Sequence, residues 1–96
     1  MSTNPQAALA ETIFQVSNEK THRPLRECIA TAMADYFHHL DGHEPENLYN
    51  MVLQEMEEPL LRAVLDYTRS NQSRAAIMLG LNRGTLRKKM KQHNLD

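Results

Sequence analysis

The sequence predicts an all-α protein with four helices per chain. Three Gly and four Pro in 96 residues are too few turn residues for a β-sandwich or barrel. Apolar residues make up 41% of the chain and aromatic residues only 5%, so a core would be built from aliphatic side chains and methionine. From residue 24 onward the apolar residues recur at spacings of three and four, which indicates amphipathic helices. A chain of this length forms one small domain or part of an oligomer.

Residues 1–23 show no clear periodicity, and we interpret them as a mobile amino-terminal arm. Ile13, Phe14 and Val16 are compatible with a short strand that turns near residues 17–18, as in a β-hairpin. The composition of residues 6–15 is also compatible with a helix, so both alternatives stay open.

The first clear helical pattern follows Pro24. Its apolar stripe consists of Leu25, Cys28, Ile29, Ala32, Met33, Tyr36, Phe37 and Leu40. This predicts a helix of about 16 residues that ends at Asp41-Gly42. Because Cys28 lies on the stripe, we interpret it as a core residue; a single thiol also favours a reducing cytoplasm.

A second helix is predicted from about Pro45-Glu46 to Tyr67. Pro59 lies in its middle and should kink the helix without ending it, because the apolar period continues on both sides. Apolar residues cover more than one face of this helix. So small a monomer cannot bury both faces, and the surplus predicts a partner surface.

The segment 69–96 is predicted to be a helix-turn-helix unit. Asn71 and Asn82 are suitable N-caps for two short helices, and Gly80 suits the left-handed end of the first. Ala75 and Ala76 allow close approach of the helices, with Leu86 as a wedge between them. One position where the motif expects an apolar residue is Lys89.

Charge is distributed unevenly along the chain. Residues 1–68 carry a net charge of −7, whereas residues 69–96 carry +6. Lys88 and Lys91 would lie on the face of the last helix away from Leu86, and Arg83 would project from its amino-terminal end, so a polyanion could dock there. Gly84 weakens a helix, and its use would be to let nucleic acid approach the backbone closely. These features predict binding to double-stranded DNA.

Several stretches resemble the bacterial Fis proteins, the nucleoid-associated factors for inversion stimulation. The strongest are Asn71–Ala76 and Leu79–Lys91, and Glu58–Leu61, Tyr67–Arg69 and Pro24–Arg26 are similar to the family's earlier helices. The resemblance covers residues 24–96. The output domain of sigma-54 enhancer-binding regulators is a looser relative, since it shares the final helix-turn-helix.

The resemblance implies an intertwined homodimer, with dimerisation helices in 24–68, that bends DNA at degenerate A·T-centred sites and regulates transcription. Asn82, Arg83 and Arg87 would contact base edges and nearby backbone. The basic residue Arg74 is a further DNA-binding candidate, and the positions implied to contact mainly phosphates are Asn71, Ser73, Thr85, Lys88, Lys89 and Lys91. Recombinases and RNA polymerase are further candidate partners.

The chain departs from the family pattern in two places. Gln92 and His93 stand where the family often has Lys and Tyr, so one phosphate contact is not carried over. Phe14, Asn18 and Lys20 do not reproduce the family's acidic and aliphatic hairpin tip, so activation of a DNA invertase is not expected from this arm.

Other function classes fit the sequence less well. His38, His39 and His43 lie near a helix end, but a third strong ligand at helical spacing and a nucleophile with partners are missing, so we expect no metal, cofactor or enzymatic activity. RNA binding is disfavoured because the basic segment lacks stacking aromatics. A helical protein-interaction dimer, or an operator-binding regulator that does not bend DNA, stays as an alternative. The apolar run Ala75–Leu81 is too short to cross a membrane, and no signal peptide is expected, so we expect a cytoplasmic, nucleoid-associated protein.

Overall fold

The computed structural model describes residues 15–17 and 22–96. The chain divides into two compact units, residues 1–45 and residues 46–96. Four helices contain most of the described residues and are accompanied by one pair of short strands, which confirms the all-α fold class. None of these helices combines the length and the apolar content needed to cross a bilayer.

The described residues of the first unit form two strands and one helix. Strand β1 (Gln15–Ser17) pairs antiparallel with β2 (His22–Pro24), with Val16 opposite Arg23. Helix α1 (Leu25–His38) follows β2 directly, with Pro24 at its N-cap position. The other residues named for the arm, including Ile13, Phe14, Asn18 and Lys20, lie outside the described part of the chain.

Arg23 connects the strand pair to α1. Its guanidinium donates a hydrogen bond of 2.8 Å to the Thr31 hydroxyl, and its Nε lies 3.9 Å from a carboxylate oxygen of Glu27. Thr31 and Glu27 are one turn apart on α1, so one side chain from β2 contacts two turns of the helix.

Helix α1 ends at His38, two residues before Leu40, the last residue of the predicted apolar stripe. Asp41 and Gly42 beyond it adopt left-handed backbone angles (φ 57° and 83°), which a right-handed helix cannot accommodate. No residue of α1 is buried in the single chain, and Phe37 is 50% exposed. The predicted apolar stripe is therefore only partly covered in the chain by itself, and Cys28 is half-buried rather than part of a core.

The second unit begins with α2 (Leu48–Tyr67), which starts later than predicted. Asn47 has a left-handed backbone (φ 57°), so the residues from Pro45 to Asn47 do not belong to the helix. Pro59 lies inside α2 without ending it, as predicted. Leu61 and Leu65 of α2 form the core together with residues of the last two helices, namely Ala75, Ala76, Leu86 and Met90.

A tight turn connects α2 to α3 (Gln72–Leu79). The Thr68 hydroxyl donates to the Val64 carbonyl at 2.9 Å and, because Arg69 and Ser70 are both left-handed, the chain reverses within a few residues. The Ser70 amide donates to the Leu65 carbonyl at 2.8 Å. The start of α3 is thus held against the end of α2.

The turn between α3 and α4 (Arg83–Gln92) has the predicted form. Gly80 is left-handed with φ 75°, and the Leu81 amide donates to the Ala76 carbonyl at 3.0 Å. This is a helix end that glycine accommodates without a Cβ penalty. Ala75 is fully buried between the helices, so the helix-turn-helix is confirmed.

Candidate nucleic-acid interface

Two asparagines cap the helices of the helix-turn-helix. The Asn71 side chain accepts a hydrogen bond of 3.1 Å from the Arg74 amide, and the Asn82 side chain accepts one of 2.7 Å from the Thr85 amide. Both N-caps were predicted from the sequence. The helix starts also carry the positive end of the helix dipole, which favours anions such as phosphate.

Helix α4 has one buried face and one cationic face. Leu86 is fully buried and Met90 is 4% exposed, as predicted for the inner face. The exposed cations are Arg83, Arg87, Lys88 and Lys91, and none of them makes an ion pair with another described residue. Their charges are therefore available to an external anion.

A shallow depression lies between the starts of α3 and α4. It is lined by Ser70, Asn71, Gln72, Ser73, Arg83 and Arg87. A second depression on α4 is lined by Gln72, Gly84, Arg87, Lys88, Met90, Lys91 and Asp96. The tertiary structure thus brings most of the predicted DNA-binding residues to two adjacent hollows that share Gln72 and Arg87.

Gln72 was missed by the sequence analysis. It is half-buried and borders both depressions. The available signal was its position directly after the N-cap Asn71. The first residue of a helix lies beside the backbone N–H groups that have no partner within the helix, and these groups can bind an external anion.

Arg74 and Thr85 are placed differently from the residues that line the depressions. The Arg74 guanidinium lies over the Tyr67 ring, 5.3 Å from its centroid, and both side chains are exposed. Thr85 is half-buried and uses its amide to complete the Asn82 cap. Stacking on Tyr67 restricts the rotamers of Arg74 while its N–H groups stay accessible.

Gly84 is not required by the packing of the chain. A Cβ built on it would have only ordinary van der Waals contact with the Asn82 side-chain oxygen, at 3.5 Å. Its backbone is not left-handed either. The chain itself gives no steric reason for glycine here, which fits a surface that something outside the chain approaches closely.

Lys89 points away from this cationic face. Its Nζ lies 2.7 Å from Oε2 of Glu57 on α2, and its side chain is 27% exposed. His93 Nε2 lies 3.0 Å from the other carboxylate oxygen, and Glu57 itself is only 6% exposed. Burial would raise the pKa of Glu57, but the hydrogen bonds and charges of Lys89 and His93 outweigh it, so the pKa lies below its ordinary value.

The sequence analysis did not identify this cluster, although it contained signals for it. Glu57 is spaced by four and eight residues from the buried Leu61 and Leu65, so it lies on the buried face of α2. Lys89 occupies a position where the motif expects an apolar residue. An acid and a base at two positions that should be apolar indicate a buried pair.

The histidines near the end of α1 do not form a metal site. His39 Nδ1 lies 2.7 Å from the Asp35 carbonyl oxygen, and its ring packs edge-to-face against His38. Among the residues that the structure describes, no group of three or more His, Cys, Asp or Glu side chains could hold a metal ion.

Comparison with known proteins points to one family. Residues 52–93 match the family model described as "Bacterial regulatory protein, Fis family", and residues 1–45 match "DNA-binding protein Fis N-terminal domain". The chain is similar to the protein named "DNA-binding protein Fis" from Actinobacillus succinogenes, with 48% identity over 97% of this chain and 94% of the relative. The proteins of the same name from Histophilus somni (45% identity; 96% and 94% covered) and Aeromonas hydrophila (47%; 93% and 91%) are also similar.

Proposed function

This chain belongs to the Fis family of bacterial DNA-binding regulatory proteins, and on that premise we propose that it is a nucleoid-associated, DNA-bending regulator of transcription. It acts in the cytoplasm as a homodimer and binds degenerate sites with A·T-rich centres. The family is one of DNA-binding regulators and not of enzymes, so DNA itself is the ligand of the proposed site.

The observation that carries DNA binding is the cationic face of α4. Arg83 and Arg87 border the depression at the starts of α3 and α4, where two capped helix N-termini also lie. Phosphate favours such a place because backbone N–H groups and cations converge on it. Arg87 lines both depressions, so we assign it contact with a base edge and the nearby backbone.

The remaining predicted positions divide by role. We assign phosphate contacts to four exposed residues that line the two depressions, namely Asn71, Ser73, Lys88 and Lys91. Arg74, which stacks on Tyr67, is a further phosphate contact. Asn82 and Thr85 act at the capped start of α4. Lys89 is set apart because its ammonium is paired with Glu57.

Uncovered apolar surface supports the homodimer. No residue of helix α1 is buried in the single chain, and on α2 Tyr49 is 81% exposed and Leu60 is 42% exposed. A soluble monomer rarely exposes so much apolar surface on two helices. We place the interface in residues 25–67, where these side chains lie.

DNA bending is proposed from the short connection between α2 and the reading helices. An ordinary helix-turn-helix dimer sets its two recognition helices about 34 Å apart, which fits straight B-DNA. Here the turn from Thr68 to Ser70 is closed by hydrogen bonds to α2, so a reading unit cannot swing outward independently of its dimerisation helix. Membership of the Fis family then implies a closer spacing, at which the duplex must bend and its minor groove must narrow between the contacts.

Circular permutation tests this proposal directly. A candidate site is placed at different positions along duplexes of equal length, and the mobility of each complex is measured. We expect mobility to depend on position, and affinity to fall when the central A·T tract is replaced by G·C, since the centre deforms less easily.

The other outcomes distinguish the alternatives. Binding with uniform mobility and no effect of the central sequence would indicate an operator-binding regulator that does not bend DNA. Absence of binding at low salt would indicate a protein-interaction dimer. Contacts with recombinases or RNA polymerase would be further functions of the DNA-bound dimer, tested by ternary-complex formation on the same duplexes.

A further inference from the structure

The buried cluster of Glu57, Lys89 and His93 joins α2 to α4 by hydrogen bonds, in addition to the apolar core between them. Glu57 lies on α2, and its partners lie 32 and 36 residues later, on α4 and just beyond its end. Both carboxylate oxygens are used, one by each partner. In the described part of the chain no buried side-chain nitrogen or oxygen lacks a hydrogen-bond partner.

We infer that Glu57 is a positioning residue for DNA recognition, which fixes the orientation of α4 through Lys89 and His93 and withholds the Lys89 ammonium from DNA phosphates. The inference rests on the proposed function, since it takes α4 to be the helix that enters the groove. It distinguishes Lys89 from the other cations of α4, which the sequence pattern alone does not.

The position of the cluster along α4 explains why it would control orientation. The buried side chains of Leu86 and Met90 hold α4 in the core by apolar contacts, which are not directional. Lys89 and His93 lie on either side of Met90 in the chain, and their bonds to Glu57 add directional contacts near the end of α4. A helix held by apolar contacts alone could rotate or tilt more easily, and base contacts tolerate such misplacement poorly.

The chemistry of the cluster favours a fixed geometry. A carboxylate that is 6% exposed is poorly hydrated and depends on its two donors, so swinging Lys89 outward would leave Glu57 with fewer partners. The hydrogen bond between Lys89 and Glu57 is short, at 2.7 Å, as expected for a charge-assisted pair. His93 therefore provides the second hydrogen-bond partner of the Glu57 carboxylate and does not lie on the cationic face.

The decisive measurement is the salt dependence of binding to a random-sequence duplex. Full-length protein is titrated by fluorescence anisotropy at several salt concentrations, for the wild type and for Lys89→Met and Lys91→Met. Each phosphate contact contributes a slope of roughly 1 in log K against log salt. We expect Lys91→Met to make the slope shallower by roughly 1 for each subunit, and Lys89→Met to leave it unchanged.

Glu57→Gln tests the positioning role. It releases Lys89, so we expect a steeper salt slope together with a smaller ratio of specific to random-sequence affinity. If Glu57→Gln proves too unstable to assay, the double variant Glu57→Gln/Lys89→Met removes both charges at once; it should fold, keep the wild-type salt slope and still discriminate less between duplexes.

Three results would overturn the inference. These are a slope reduced as much by Lys89→Met as by Lys91→Met, a specificity ratio unchanged in Glu57→Gln, and an unchanged ratio in a folded double variant. A wild-type protein without salt-dependent binding to any duplex would instead overturn the proposed function itself.

Discussion

Gly84 offers the sharpest separation of folding from DNA binding. Its helical backbone would accept alanine, whose Cβ would have only ordinary van der Waals contact, and alanine favours the helix by about 0.5–1 kcal/mol over glycine. We expect Gly84→Ala to raise the free energy of unfolding by up to that amount. We also expect DNA affinity to fall by about fivefold or more, because the added methyl group keeps the duplex away from the backbone. Urea unfolding and anisotropy on one protein preparation measure both effects, and unchanged affinity would show that DNA does not approach this residue.

Arg87 and Lys91 should differ in kind and not only in size. Arg87 borders both depressions, whereas Lys91 borders only the one along α4. We expect Arg87→Ala to weaken binding to a specific duplex by about 1–3 kcal/mol and to reduce discrimination, because the guanidinium reaches a base edge. Lys91→Ala should weaken specific and random-sequence duplexes about equally. Wild-type binding by Arg87→Ala would mean that a different part of the unit enters the groove.

Glu57 should make the protein less stable in acid. Its pKa is lower in the folded protein than in the unfolded chain, so the unfolded chain takes up more protons as the pH falls below the ordinary glutamate value. The stabilisation is complete above that value and is lost as the pH falls through the lowered pKa of the folded state. We expect the free energy of unfolding, measured with urea at fixed protein concentration, to fall less steeply with decreasing pH in Glu57→Gln than in the wild type. An equal loss of stability with falling pH in the wild type and in Glu57→Gln would contradict the assignment.

The N-terminus of α4 must serve both as a helix start and as a binding surface. Aspartate caps a helix as well as asparagine does, so Asn82→Asp should keep the free energy of unfolding within about 0.5 kcal/mol. Its added negative charge lies beside Arg83 and would face phosphate, so we expect DNA affinity to fall by about tenfold or more. Asn82→Ser, which retains a cap without the charge, should bind more tightly than Asn82→Asp. Equal affinities for the two variants would place the phosphates elsewhere.

Helix limits show how local signals compete with one another. The caps Asn71 and Asn82 and the left-handed Gly80 were predicted correctly because each depends on residues within one turn. The start of α2 was predicted too early, since Pro45 fits a first helical turn equally well. The left-handed conformation of Asn47 is one of several open to asparagine, and its local sequence does not select between them.

A charge introduced on α1 should disrupt the proposed dimer, whereas the same charge on α3 should not. Ile29 on α1 is 40% exposed in the single chain and lies in the proposed interface, whereas Ile77 on α3 is 80% exposed and lies outside it. We expect the wild type to sediment as a dimer at micromolar concentration, and Ile29→Glu to shift it to monomer or unfolded chain because the charge would be buried. Ile77→Glu, the same change at a surface position, should leave the dimer intact. A monomeric wild type would refute the proposed assembly.

The fold class, the two helix-turn-helix caps and the cationic character of the last helix could all be read from the sequence. Each depends on short-range periodicity or on composition, and these act through the backbone within a few residues. The separation of α4 into a face with Leu86 and Met90 and a face with Lys88 and Lys91 follows from the helical repeat alone.

Only the tertiary structure decided which charges remain available on that surface. Lys89 and Lys91 are neighbours on one helix and chemically identical, yet the first is paired with Glu57 and the second is exposed. The difference arises from a carboxylate 32 residues earlier, which packing brings to 2.7 Å. The cost of burying a charge depends on the partners around it in space, and the residues beside it in the chain do not specify those partners.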